Sequence, residues 1–130
     1  MNKPAQFIPI LIVTINALVI IVRWSCLPEL LPAHFDLQGN ASGSMSRNVL
    51  PLYPLVSAAV CLIAYVISLK MHKLQTGMII LASGICLVLL FSTLVTLTSG
   101  RMPFLMLAEP VILLASVIAS VICMIRSRKK

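Results

Sequence analysis

Charged side chains are scarce in this chain of 130 residues. They make up 10% of the sequence, whereas soluble domains carry roughly 25% charged residues. Acids are the rarest, with 3 Asp and Glu against 10 Lys and Arg, while 60% of the residues are hydrophobic. A composition with so little charge excludes an ordinary soluble domain and indicates a membrane protein.

Motifs of catalysis and metal binding are also missing. The sequence has no nucleophile elbow, phosphate-binding loop, dinucleotide fingerprint or pair of catalytic carboxylates. Cys61, Cys86 and Cys123 lie within apolar runs, where a thiol behaves as a small hydrophobe, and Cys26 stands alone outside them. No zinc-ligand spacing is present. We therefore expect no enzyme activity, no cofactor and no metal.

Long apolar runs are what the chain has in abundance. Four of them cover approximately residues 7–22, 50–69, 78–97 and 104–125, each close to the roughly 20 residues that a helix needs to cross a bilayer. We predict an all-α integral membrane protein with a single domain over residues 1–130. Its architecture is a four-helix transmembrane bundle with one long ordered extracytoplasmic loop over residues 25–48.

The distribution of charge predicts the orientation. With four crossings, one side receives only positive side chains, namely Lys3, Lys70, Lys73, Arg126, Arg128, Lys129 and Lys130. The other side receives three basic residues, Arg23, Arg47 and Arg101, and three acidic residues, Glu29, Asp36 and Glu109. The formal net charge of that side is therefore zero. Because short basic loops stay in the cytoplasm, both termini are predicted to be cytoplasmic. The basic side is expected to meet lipid headgroups, and no nucleic-acid partner is expected.

The segment from residue 27 to residue 47 is the main polar interruption. It exceeds the roughly 2 to 8 residues that usually connect neighbouring helices, so it is either functional or disordered. Pro28 and Pro32 restrict the backbone, and Gly39 and Gly43 belong to turn pairs. These four residues favour an ordered cap on the helix ends.

His34 and Asp36 stand two positions apart in this segment, with Glu29 nearby. They are too few for a metal site, so the spacing favours a hydrogen bond from His34 to Asp36, to a backbone carbonyl or to Glu109. The alternative is a recognition or pH-responsive group on the extracytoplasmic side. The candidate recognition residues are His34, Phe35, Asp36 and Arg47.

Two polar side chains accompany the apolar runs. Asn16 is expected to form an interhelical hydrogen bond, with a place in a polar pathway as the alternative. Glu109 is the carboxylate in or near a membrane helix. We expect it to be interfacial and paired with Arg101 or Arg47 near a helix start; the alternative is a proton-sensitive site.

The fourth run carries small residues at spacing four. Ala115 pairs with Ala119 and Ser116 with Ser120, an arrangement that allows close approach of helix backbones. This face is predicted to pack inside the bundle or against a second copy. Pro110 is expected to bend the helix.

The loop resembles a known bacterial family. Leu27-Pro28, Pro32-x-His34-Phe35, Gly39-Asn40, Gly43 and the basic residue Arg47 resemble the Leu-Pro-x-x-x-Pro-x-His-Phe-x-x-x-Gly motif of a domain of unknown function that opens SdpI-type proteins. Those are integral membrane proteins of toxin immunity and signalling. The resemblance covers the first helix, the loop and the second helix. Members commonly carry an acid where this chain has Ser42, and often lysine in place of Arg47.

The resemblance implies a non-catalytic protein of a bacterial inner (cytoplasmic) membrane. It would act in toxin immunity, or in sensing or binding a peptide or protein at the outer face. Two alternatives remain open, a small proton-coupled transporter and an accessory subunit that packs through its fourth helix.

Overall fold

Four helices dominate the computed structural model, which describes residues 6–35, 40–97 and 103–129, without the side chains of residues 33–35, 41, 42 and 103–106. They are α1 (Ile8–Arg23), α2 (Leu52–Lys70), α3 (Gln75–Leu97) and α4 (Pro103–Arg128). Each is long and apolar enough to cross a membrane. The predicted all-α four-helix membrane architecture is confirmed, and the predicted runs lie close to the observed helices.

Neighbouring helices run antiparallel, so the bundle has two different ends. The Sγ atoms of Cys61 in α2 and Cys86 in α3 lie 3.5 Å apart, and the Ser120 hydroxyl of α4 donates to the carbonyl oxygen of Gly77 in α3 at 2.8 Å. The end where α1 and α3 finish is called the hairpin end. The opposite end is called the basic end because it carries the exposed Lys70, Lys73, Arg126, Arg128 and Lys129.

Helix α3 forms the centre of the bundle, since it contacts α1, α2 and α4. Helix α3 approaches α4 closely because it has glycine, at Gly77 and Gly84, where the two helices meet. A Cβ atom built on Gly84 would overlap the Ser116 side chain. The hydroxyl of Thr93 donates to the carbonyl of Leu89 within α3, an arrangement that is common for hydroxyls in membrane helices.

The small residues of α4 divide between two faces. Ser116 and Ser120 contact α3, whereas Ala115 and Ala119 are exposed. The prediction of one shared packing face therefore holds for the serine pair alone. Ala115 and Ala119 leave a small-residue surface on the bilayer side of the bundle.

The loop between α1 and α2 contains two strands that the sequence did not predict. β1 (Leu30–Phe35) and β2 (Ala41–Ser46) form an antiparallel hairpin. The strands escape prediction because Pro32 usually argues against a strand and Ser-Gly-Ser has low strand propensity. After β2, the Ser46 hydroxyl accepts from the Asn48 N–H at 3.3 Å.

Candidate binding site at the hairpin end

The hairpin is anchored to the helices by one of its two faces. Leu31 and Met45 are opposite each other across the strands, and such pairs share a face of the sheet. Leu31 is only 3% exposed and packs with Ile20 of α1 and with Leu50, which is fully buried just before α2. Leu30, the neighbour of Leu31, points to the other face and is 65% exposed. The hairpin is therefore seated on the bundle through alternate residues.

Arg47 ties the base of the hairpin to the end of α1. Its Nη1 atom donates to the carbonyl oxygen of Leu27 at 3.2 Å, and its guanidinium carbon lies 5.3 Å from the centroid of the Trp24 ring. This distance is within cation–π range. The two contacts assign Arg47 an anchoring position at the bundle, half-buried rather than fully open to a ligand.

The backbone pairing determines which N–H groups face away from the hairpin. Antiparallel positions alternate between pairs that exchange hydrogen bonds and pairs whose N–H and C=O groups point outward. The Arg47 N–H donates to the Glu29 carbonyl at 2.9 Å, and Leu31 pairs with Met45 two positions further along the same register. The backbone N–H and C=O groups of Met45 and Arg47 therefore face β1, and those of Ser44 and Ser46 face the free edge of β2.

The two free edges differ in their hydrogen-bonding capacity. On β1, the outward residues include Pro32, which has no N–H, and this strand also contacts α3. On β2, the outward residues include Ser44 and Ser46, both exposed. The described sheet has two strands, β1 and β2, so the outward backbone groups of these serines face no third strand among the described residues. The β2 edge therefore offers an unpaired row of donors and acceptors.

Gly43 gives β2 a backbone conformation that other residues rarely adopt. Its φ angle is 79°, which a Cβ atom disfavours. The prediction that Gly43 has an architectural role therefore has a geometric basis.

Of the remaining residues singled out in the sequence, some are described by the structure and others lie outside its described ranges. The backbones of His34 and Phe35 lie in β1, opposite Ser42 and Ala41. Pro28 is exposed just before the strand. Asp36 and Gly39 lie outside the described residues, so the hydrogen bond predicted between His34 and Asp36 stays a prediction.

Glu109 lies beside the hairpin end, in the first part of α4. It is half-buried, and the Ser92 side chain of α3 lies close to it. Arg47, one of its two predicted partners, is engaged with Leu27 and Trp24 instead. Arg101 lies outside the described residues.

Asn16 is the most unusual polar residue of the bundle. It is fully buried, and neither amide atom has a hydrogen-bond partner in the described part of the chain. The predicted interhelical hydrogen bond is therefore not formed with any described residue. Asn16 lies one turn before Ile20, a member of the core that supports the hairpin, so this unsatisfied amide sits directly beneath the site.

Comparison with known proteins gives a match over this part of the chain. Residues 11–58 match a family model described as a domain of unknown function (DUF1648). The match spans most of α1, the hairpin and the beginning of α2, so the resemblance to a domain of unknown function is confirmed for this region. No curated protein matches the chain. No solved structure matches it either.

Sequence reasoning missed the residues that make the edge. Ser44 and Ser46 carry no motif, and their importance comes from backbone groups that are present at every residue. The available signal was Pro32, because proline on an edge strand is a common way of blocking one side of a hairpin.

Proposed function

We propose that this protein binds an extended peptide at the membrane surface by adding it as a third strand to the β2 edge. Peptides that join a sheet in this way gain affinity from main-chain hydrogen bonds. The observation that supports the proposal is the free outer edge of β2 at the exposed Ser44 and Ser46, on a hairpin that Leu31 and Leu50 hold against the bundle. An anchored edge binds with a smaller loss of conformational entropy than a mobile loop.

The asymmetry of the hairpin supports β2 rather than β1 as the binding edge. Pro32 removes one donor from the β1 edge. Ser44 and Ser46 also have short side chains, which leave space for larger side chains on the incoming peptide. His34, Phe35 and Asp36 remain proposed recognition residues for those side chains, whereas Arg47, also predicted for recognition, holds the base of the hairpin.

Such binding suits a non-catalytic protein of the SdpI-like type. Sequestering a secreted peptide at the surface would provide immunity to a toxin, and binding without sequestration would provide extracytoplasmic sensing. The match of residues 11–58 supports a domain of unknown function in this region, and both the SdpI-like type and the role are our proposal.

A proline substitution tests the edge directly. Ser46 has φ of −66°, which is the angle that proline imposes, so Ser46→Pro should fold while losing the outward N–H. Growth protection against a panel of secreted antibacterial peptides is expected to be lost in Ser46→Pro. Ser46→Ala is the control: it loses the hydroxyl that accepts from the Asn48 N–H, as Ser46→Pro does, but it keeps the backbone N–H of residue 46. Cells with Ser46→Ala should still be protected.

Membrane abundance of both variants should be measured by immunoblot. Equal protection by Ser46→Pro and Ser46→Ala at equal abundance would refute strand addition at this edge.

The proposed location is a bacterial inner membrane with both termini in the cytoplasm. The exposed lysines and arginines of the basic end support this orientation, because positive residues stay inside. Cys26 is exposed at the hairpin end, so a membrane-impermeant maleimide should label it in intact cells. In a Cys26→Ser background, Lys129→Cys should be labelled only after lysis. The reverse pattern would invert the orientation.

A small proton-coupled transporter is the second candidate. The unpaired amide of Asn16 and the half-buried Glu109 beside Ser92 support it. Proteoliposomes with an imposed pH gradient should then show flux that Glu109→Gln abolishes and Ser92→Ala reduces. Flux that is equal in empty liposomes and in liposomes with the protein would remove this candidate.

Association through α4 is the third candidate, either with a second copy or as an accessory subunit. The exposed Ala115 and Ala119 support it because small residues allow close helix approach. Oxidative cross-linking of Ala115→Cys in the membrane should give dimers if two copies meet there. A monomer at every protein density would argue against the second copy.

A further inference from the structure

Two thiols from different helices meet in the middle of the bundle. The Sγ atoms of Cys61 in α2 and Cys86 in α3 lie 3.5 Å apart, and the Cys86 thiol also donates to the carbonyl oxygen of Ser57 at 3.7 Å. Because Ser57 and Cys61 stand about one helical turn apart, both contacts of Cys86 are made with the same part of α2. The sequence did not reveal this pair, since its members belong to separate apolar runs.

The pair is positioned for a disulfide bond. The sulfur atoms of a disulfide are about 2.05 Å apart, so the two sulfur atoms must approach each other by about 1.5 Å. Each thiol is held by its own helix, and the two are already in van der Waals contact. Holding two reacting groups side by side raises their effective concentration far above that of free thiols. Oxidation should therefore join Cys61 to Cys86 in preference to any distant thiol.

The two thiols differ in exposure. Cys86 is fully buried, whereas Cys61 is half-buried. Leu62, the next residue of α2, is 64% exposed. Both cysteines lie near the middle of helices that are long and apolar enough to cross a membrane. An oxidant therefore reaches Cys61 from the acyl chains of the bilayer rather than from water.

This depth determines the class of oxidant. Creating a charge in hydrocarbon is costly, so an overall step that leaves no net charge at the pair is favoured. Lipid-soluble quinones accept two electrons and two protons, and they dissolve among acyl chains. In the overall step two S–H bonds break, one S–S bond forms, and both hydrogen atoms pass to the quinone. The thiols are oxidised to a disulfide, and the quinone is reduced to a hydroquinone.

We propose that Cys61 and Cys86 are a redox site at which a membrane quinone forms an interhelical disulfide. The bond fixes α2 to α3 near the middle of the bilayer. Because α3 also contacts α1 and α4, this bond constrains the centre of the whole bundle. The site lies away from the β2 edge, so the proposal is independent of peptide binding at the hairpin end.

Disulfide mapping by mass spectrometry tests the pair. The full-length protein with Cys26→Ser and Cys123→Ser keeps Cys61 and Cys86 as its two thiols. It is reconstituted in bilayers and treated with a short-chain lipid-soluble benzoquinone. The matched control moves one thiol by one residue, because Cys61→Ser with Leu62→Cys in the same background turns that thiol towards the bilayer. Circular dichroism measures whether the two proteins have the same helical content.

The protein with the native pair is expected to lose both free thiols and the mass of two hydrogen atoms roughly tenfold faster than the control. Dithiothreitol in detergent should restore both thiols. In the unsubstituted chain, the disulfide mapped after proteolysis should again join Cys61 to Cys86. The oxidised protein should also unfold at a higher temperature than the reduced protein, because the bond constrains the unfolded chain.

Equal rates of disulfide formation in the two proteins would overturn the proposal, because the native pair would then have no advantage from its geometry. A quinone adduct on Cys61 in place of the disulfide would also overturn it. So would a dimer linked through Cys26 as the sole oxidised product of the unsubstituted chain.

Discussion

The two ends of the α1–α2–α3 unit are packed differently. At the hairpin end, Leu31 from β1 fills the space beside Ile20 and Leu50, and all three side chains are buried. Towards the basic end, the same helices leave a groove of about 410 Å³, lined by Ile10, Leu62 and their neighbours. The difference indicates that the hairpin fills the interface between α1 and α2 at one end of the bundle. Helices α1 and α2 close at one end because a strand residue completes their interface.

The largest loss of stability is expected when a buried side chain is removed at the hairpin end. Leu50→Ala removes a fully buried side chain and should lower the free energy of unfolding by about 3 kcal/mol through lost burial and a new cavity. Leu62→Ala at the groove should cost much less, because Leu62 is 64% exposed. Unfolding in mixed micelles, followed by circular dichroism, measures both. Equal losses would mean that the two ends are not packed differently.

A backbone change within β2 should destabilise the hairpin without changing any helix residue. Gly43 has φ of 79°, so Gly43→Ala is expected to cost about 1–3 kcal/mol through backbone strain. Amide hydrogen exchange should rise in β1 and β2 more than in α3. Ser44→Ala, on the next residue, serves as the control and should leave exchange unchanged. Unchanged exchange in Gly43→Ala would contradict a constrained backbone conformation at this position of β2.

Asn16 tests whether the closed end is built for stability alone. Its buried amide has no partner within the described residues, and leaving such a group unsatisfied costs about 1–3 kcal/mol. Asn16→Leu should therefore raise the free energy of unfolding by about 1 kcal/mol, since the two side chains are similar in size. A decrease would indicate that the amide is satisfied by a bound group. Increased stability with lost growth protection would assign Asn16 to function.

The smallest change in stability is expected when a larger side chain is placed in the groove. Ala58 is exposed and lines the groove, so Ala58→Phe should change the free energy of unfolding in detergent by about 0.5 kcal/mol or less. Ala115→Phe, on the exposed surface of α4, serves as the control and should leave the free energy of unfolding unchanged. A large destabilisation by Ala58→Phe would mean that the groove is part of the core.

The helices were predictable because the signal for them is local. Runs such as residues 50–69 and 78–97 mark membrane helices by length and hydropathy alone, and α2 and α3 lie close to them. The candidate site was predictable only in part. Pro32 and Gly43 marked an ordered segment, while the strand pairing depends on contacts between residues distant in sequence.

The sequence by itself determined that the chain crosses a membrane four times, that its positive charge collects at one end, and that residues 27–47 stand apart. Composition and hydropathy suffice for these conclusions because the bilayer accepts helices of one length and few charges. Only the tertiary structure decided that Leu31 closes the bundle, that Ser44 and Ser46 form an unpaired edge, and that a groove remains beside Ala58. These features depend on the rotation of each helix and on strand register, which apolar helices of nearly uniform hydropathy do not specify.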